Sequence, residues 1–152
     1  SFSWFLDWRT QIAAFRTFLA ARRGQAVPFW LPSWRQDISL TVDLISSATV
    51  ITISFFGYTK FMFPDMARRH VVFILADGSK IYRKITASLD NGNGTENITI
   101  DSTIGVAVPA ATTMVCFLQL CRLATDEVSL EWQSMNFAEA TLPIVEIPRE
   151  VP

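Results

Sequence analysis

The feature that most constrains this chain is a succession of short β-branched and aromatic segments between residues 37 and 148, separated by turn signals. Ile38, Leu40, Val42 and Leu44 alternate with polar residues, the period-two signature of a half-buried strand. Thr49 to Phe56 is β-branched and aromatic throughout, and His70 to Leu75 and Lys80 to Ala87 flank Asp77-Gly78, a hairpin turn pair. A second turn-rich loop, Asp90-Asn91-Gly92-Asn93-Gly94, leads into a strand over Asn97 to Asp101 with Ile98 and Ile100 facing inward. Thr113 to Leu123, Glu127 to Trp132 and Ala138 to Ile147 complete about eight antiparallel strands. Regular short strands of this kind predict a mainly β fold, a sandwich or a barrel. The longest uncharged stretch, Ser102 to Cys121, has the length of a membrane span. Gly105, Pro109 and several polar residues divide it into two short apolar runs, so it reads as strand, loop, strand, and no membrane insertion is expected.

Ahead of the strands the period changes. Trp8, Ile12, Phe15 and Leu19 recur at helical spacing, with Asp7 at the N-cap position and Gly24 as the stop, which predicts an amphipathic helix over about 8–23. Arg9, Arg16 and Arg23 recur every seven residues on a second face, either a solvated surface or a seam for acidic residues of a neighbouring subunit. In the extended segment 26–36, Pro28 and Pro32 exclude a helix or a central strand, while Phe29, Trp30 and Trp34 need something to pack on. The segment either crosses the sheet and plugs one end of the core or offers an aromatic platform to a sugar or peptide. At 152 residues the chain fits a single domain, with its β core over 37–148.

Half the residues are hydrophobic, only 18% are charged, and the mean hydropathy is +0.28, more apolar content than a small soluble monomer hides easily. Either part of it is buried between subunits or it fills a sandwich that leaves little exposed. A net charge of −1 gives no electrostatic case for nucleic acid. Basic residues around Lys60, Arg68, Arg69, His70, Arg83 and Lys84 read as exposed groups protecting sheet edges. Cys116 and Cys121 sit five apart on one predicted strand, so they face opposite sides and cannot bridge each other, as suits a reducing cytoplasm. No basic leader precedes the first apolar residues, so no signal peptide is expected, and the acceptor patterns at Asn93 and Asn97 read as a polar hairpin tip.

Chemistry is sparse. The single histidine, His70, opens an apolar strand and has no nucleophile in a recognisable setting. Asp37, Asp43 and Asp65 read as turn and strand-edge residues, no acid pair is marked out for glycoside hydrolysis, and no Cys/His spacing forms a zinc site. The Asp90–Gly94 loop lacks the acidic density of a calcium loop and the Lys of a phosphate loop. The expectation is therefore a non-enzyme without metal or cofactor.

Three stretches together resemble the tail-tip proteins of tailed bacteriophages, of the distal tail or baseplate-hub type. They are Ala14 to Gln25 with its Arg22-Arg23-Gly24, the aromatic Pro28 to Trp34, and Cys121 to Trp132. The resemblance covers about a third of the chain and implies a virion protein, assembled in the host bacterial cytoplasm. Such a protein forms a ring, commonly a hexamer, that joins the tail tube to the hub or baseplate. Its partners would be copies of itself and tube and hub proteins, with Arg9, Arg16, Arg23, Phe29, Trp30 and Trp34 as candidate assembly residues. The alternatives are a carbohydrate-binding sandwich using Trp30 and Trp34 for host adsorption, and a cell-wall hydrolase on a β scaffold.

Overall fold

Most of the β-patterned segments become strands, Ile38 to Leu44 excepted. The structure, a computed structural model describing residues 2–151, is mainly β with one N-terminal α-helix. In chain order its elements are β1 (Phe2–Asp7), α1 (Trp8–Arg22), β2 (Phe29–Pro32), β3 (Val50–Ser54), β4 (His70–Ile74) and β5 (Lys80–Asp90), followed by β6 (Thr95–Ile100), β7 (Met114–Leu123), β8 (Ser129–Ser134), β9 (Phe137–Leu142) and β10 (Ile144–Glu146). A π-helical turn, Tyr58–Met62, and a 3-10 turn, Met66–Arg68, lie between β3 and β4. The ten strands pair into two antiparallel sheets whose strand orders are open paths. By internal packing the chain divides into two compact units, one of Ser1–Trp30 with Leu120–Glu150 and one of Leu31–Gln119 with Val151–Pro152.

In the first unit a three-stranded sheet runs β1-β9-β8, so β1 and β8 are its edges. The pairings Leu6↔Ala138 and Trp4↔Ala140 on one side, and Trp132↔Ala138 and Leu130↔Ala140 on the other, put these residues on one face. Helix α1 packs there through Ile12 and Phe15, and Phe15 meets Trp4 edge-to-face at 6.1 Å. Ala138 and Ala140 on the middle strand are fully buried, and their small side chains let the helix backbone come close. β10 continues this unit by pairing with Cys121 to Leu123 of β7.

In the second unit the order is β7-β4-β5-β6-β3, and Ile51, Ile53, Val71, Phe73, Ile85 and Ile98 fill the core. Tyr58 from the π-helical turn joins them, stacked on Phe117 at 5.9 Å, and donates its hydroxyl to Arg68 O at 2.9 Å. Two expectations need correction here. Ile38 to Leu44 is not a regular strand but makes three isolated bridges, Ile38↔Val115, Leu40↔Ile53 and Leu44↔Val108, and Val42 is exposed. Polar side chains compete with the ladder there: Thr41 donates to Thr52 O, and Asp43 accepts from the Ala110 N–H. The expected exposed basic edge is also partly tied down. Arg69 lies over the Phe63 ring and donates to Phe63 O, and Arg83 donates to the carbonyls of Tyr82, Thr103 and Ile104.

The hairpin across Asp77-Gly78 forms as its turn chemistry dictates, with Gly78 at φ 83°. Strand β1 was not anticipated, although Phe2, Trp4 and Leu6 alternate. Within 26–36, residues Phe29–Pro32 form a short strand that pairs with β7, with Pro28 just before it and Pro32 as its last residue. Among the described residues no helix is long and apolar enough to cross a membrane.

Candidate assembly surface

Helix α1 begins under strain and ends on a fixed stop. Asp7 stands at the N-cap but its side chain caps nothing; instead its N–H donates to Gln11 Oε1 at 2.9 Å. Trp8 follows at φ 72°, a left-handed conformation that costs a non-glycine residue about 1–2 kcal/mol, and its N–H donates to Asn136 O at 2.8 Å. That bond draws the helix start onto the β8–β9 turn and leaves the Trp8 indole 62% exposed, so Trp8 leaves the buried stripe to which its spacing assigned it. At the other end Arg23, at φ 50°, and Gly24, at φ 62°, stop the helix together. A Cβ on Gly24 would lie 2.1 Å from Asp126 Oδ1, which accepts the Gln25 N–H at 3.0 Å. Two of the three stretches that carry the family resemblance thus meet at this carboxylate.

One flank of α1 is lined by a groove of about 620 Å³ formed by Arg9, Ile12, Ala13 and Arg16 with Trp132 and Met135. Trp132 is 51% and Met135 78% exposed, and both arginines stand in solvent above this apolar floor. On the other flank Trp4, Phe5, Leu6, Ala14, Phe15 and Phe18 form a shallower aromatic trough. Of the candidate residues, Arg9 and Arg16 are therefore brought together, whereas the exposed Arg23 belongs to the helix stop. Phe29 is buried, edge-to-face on Phe18 at 5.2 Å, and Arg22 locks this corner by donating to Pro28 O and lying over the Phe18 ring. Trp30 is half-buried, and Trp34 is exposed with Lys80 over its ring at 5.8 Å.

Sequence reasoning missed the most deeply buried acid, Glu96, which has no exposed surface. Its Oε2 accepts the N–H groups of Phe56 and Tyr58 at 3.2 and 3.0 Å, and its Oε1 accepts that of Thr59 at 2.7 Å. Burial pushes its pKa up, but these bonds outweigh it, and the carboxyl is held below the usual carboxylate range. Both oxygens are engaged with main-chain donors, so Glu96 shapes the π-helical turn. Asp65 and Asp37 also hold backbone: Asp65 caps the 3-10 turn through the Ala67 N–H, and Asp37 accepts from the Ser33 hydroxyl and the Phe117 N–H. His70 is half-buried opposite Lys84, and its pKa is lowered by burial and then by Lys84, against the pull of Asp101. Among the described residues no three His, Cys, Asp or Glu side chains converge as metal ligands. Comparison with protein-family models and with curated proteins finds no match.

Proposed function

We propose that this chain is a structural subunit of a bacteriophage tail tip, forming a ring that joins the tail tube to the hub or baseplate. One observation carries the reading: the first unit exposes large apolar side chains, with Trp8 62% exposed at the start of α1, Trp132 and Met135 beside the helix, and Phe5 63% exposed on the edge strand β1. Apolar surface of this kind is the signature of subunit contacts, whose centres are depleted in charge and enriched in aromatic residues. The resemblance of three sequence stretches to tail-tip proteins supplies the setting, and Asp126 on Gly24 makes two of them one structural unit.

The test is the mass of the full chain by light scattering, with negative-stain microscopy. A single closed oligomer of more than two copies, seen as rings, is the expected result. A chain that remains monomeric at every soluble concentration argues against the reading.

A further inference from the structure

The three-stranded sheet of the first unit has a second face, turned away from α1. The register that places Leu6, Ala138 and Trp132 against the helix places Phe5, Glu139 and Glu131 side by side on the opposite face. Asp7 lies one pair further along β1 on that face. Phe5, Asp7 and Glu131 are exposed there and Glu139 is half-buried, while Phe5 stacks on Phe137 at 5.8 Å. β1, β8 and β9 contain no lysine or arginine. Glu131 and Glu139 are directly opposed, about 5 Å apart at their Cα atoms, an arrangement that destabilises an isolated sheet.

Helix α1 has the reverse composition. It carries Arg9, Arg16 and Arg22 and no acid, and Arg9 and Arg16 stand over an apolar floor. Among the described residues neither they nor Glu131 and Glu139 form an ion pair. Seven helical residues separate the two arginines, about 10.5 Å along the axis. Asp7 and Glu131 lie two strands and one residue pair apart, roughly 12 Å by strand spacing and rise. Cations and carboxylates on the two sides of the unit therefore match in spacing, and each side also presents exposed aromatic surface.

We infer that the helix face of one copy docks on the outer sheet face of a second copy, with Arg9 and Arg16 against the Asp7, Glu131 and Glu139 carboxylates. This deepens the reading that copies of the chain assemble with one another and rests on it. A two-fold dimer would set helix against helix or sheet against sheet, like charge on like charge. The two complementary faces lie on opposite sides of one sheet, so the contact is head-to-tail, the geometry that closes into rings or runs on as filaments.

The test uses the full chain in three charge variants: Arg9→Glu/Arg16→Glu, Glu131→Lys/Glu139→Lys, and all four changes together. Arg9, Arg16 and Glu131 are exposed and Glu139 is half-buried, and circular dichroism checks that each variant folds. Either double variant should lose association by more than about tenfold, because both faces then carry one sign. Mixing the two double variants, or combining all four changes, should restore it, and added salt should weaken the wild-type oligomer. Wild-type rings indifferent to both double variants, or lost without rescue, overturn this contact while leaving the ring reading intact. A wild-type chain that stops at a dimer overturns the head-to-tail geometry, and one that never associates overturns both readings.

Discussion

Replacing Glu96 by Gln tests the central assignment in the second unit, that a buried carboxylate holds the π-helical turn. Gln can keep one oxygen where Oε2 accepts from Phe56 and Tyr58, but its amide then points two hydrogens at the Thr59 N–H. One orphaned buried donor costs about 1–3 kcal/mol, and downgrading two bonds to a charged acceptor costs roughly 1 kcal/mol each. Release from burying a charge returns part of this, leaving a net loss of about 2–4 kcal/mol. Glu96→Ala orphans all three donors and should be worse. Urea unfolding followed by near-ultraviolet circular dichroism reads the loss, and a thermal midpoint lower by roughly 5–15 °C is expected for a chain of this size. The pH profile gives a second readout. The folded pKa is depressed, so the carboxylate contributes stability above its ordinary value of 4.5 and loses it as pH falls through the folded value. The Gln variant should lack that acid limb. A Gln variant as stable as the wild type, with the limb unchanged, would refute the reasoning, because three main-chain donors would then be no compensation for burial.

Gly24→Ala should destabilise by about 1–3 kcal/mol, from its φ of 62° and from the contact with Asp126; adding Asp126→Ala should recover the steric part only, as a double-mutant cycle by denaturation would show. His70 has a lowered pKa, so it folds preferentially neutral; stability should be full above 6.5 and fall as pH drops through the folded value, and His70→Gln should flatten that slope. An NMR titration of the His70 ring should give a midpoint below 6.5. Burial, with Glu146 adding to it, pushes the Cys121 thiol up to about 11, and burial also raises Cys116, so neither should react with a thiol reagent at neutral pH until denaturant is added.

What was legible in the sequence follows from which forces are local. The hairpin at Asp77-Gly78 and the helix ending at Arg23-Gly24 were readable because a turn pair and a left-handed stop act within a few residues. Ile38 to Leu44 alternates as a strand should, yet Asp43 and Thr41 bond to distant main chain and break the ladder, which no local period reports. Glu96 was half legible. The alternation that turns Ile98 and Ile100 inward turns Glu96 inward too. Nothing in the sequence shows that the amides of Phe56, Tyr58 and Thr59 arrive to meet it. Of the candidate assembly residues, the Arg9 and Arg16 spacing was visible on the helix, but Trp132 and Met135, which complete their groove, come from beyond residue 130 and arrive only through the β1-β9-β8 pairing.

The two kinds of buried or crowded acid in this chain are handled differently, and the difference bears on assembly. Glu96 is compensated within the subunit by main-chain donors, whereas among the described residues Glu131 and Glu139 face each other with none, at a cost of roughly 0.2–1 kcal/mol that the proposed guanidinium contact would remove. If the helix face and the outer sheet face were parallel planes, head-to-tail docking would repeat as a straight stack. A twisted sheet turns each strand by about 20–25° relative to the next, so the helix on one side and the contact on the other are rotated with respect to one another. A net rotation of about 60° per copy closes a ring of six, while any translation along the rotation axis opens it into a filament. In the proposed ring, copy number would therefore be set by how far Glu131 on the β8 edge is turned from α1. Changes to the β8–β9 turn around Asn136, which also anchors the Trp8 N–H, should alter stoichiometry before they alter affinity.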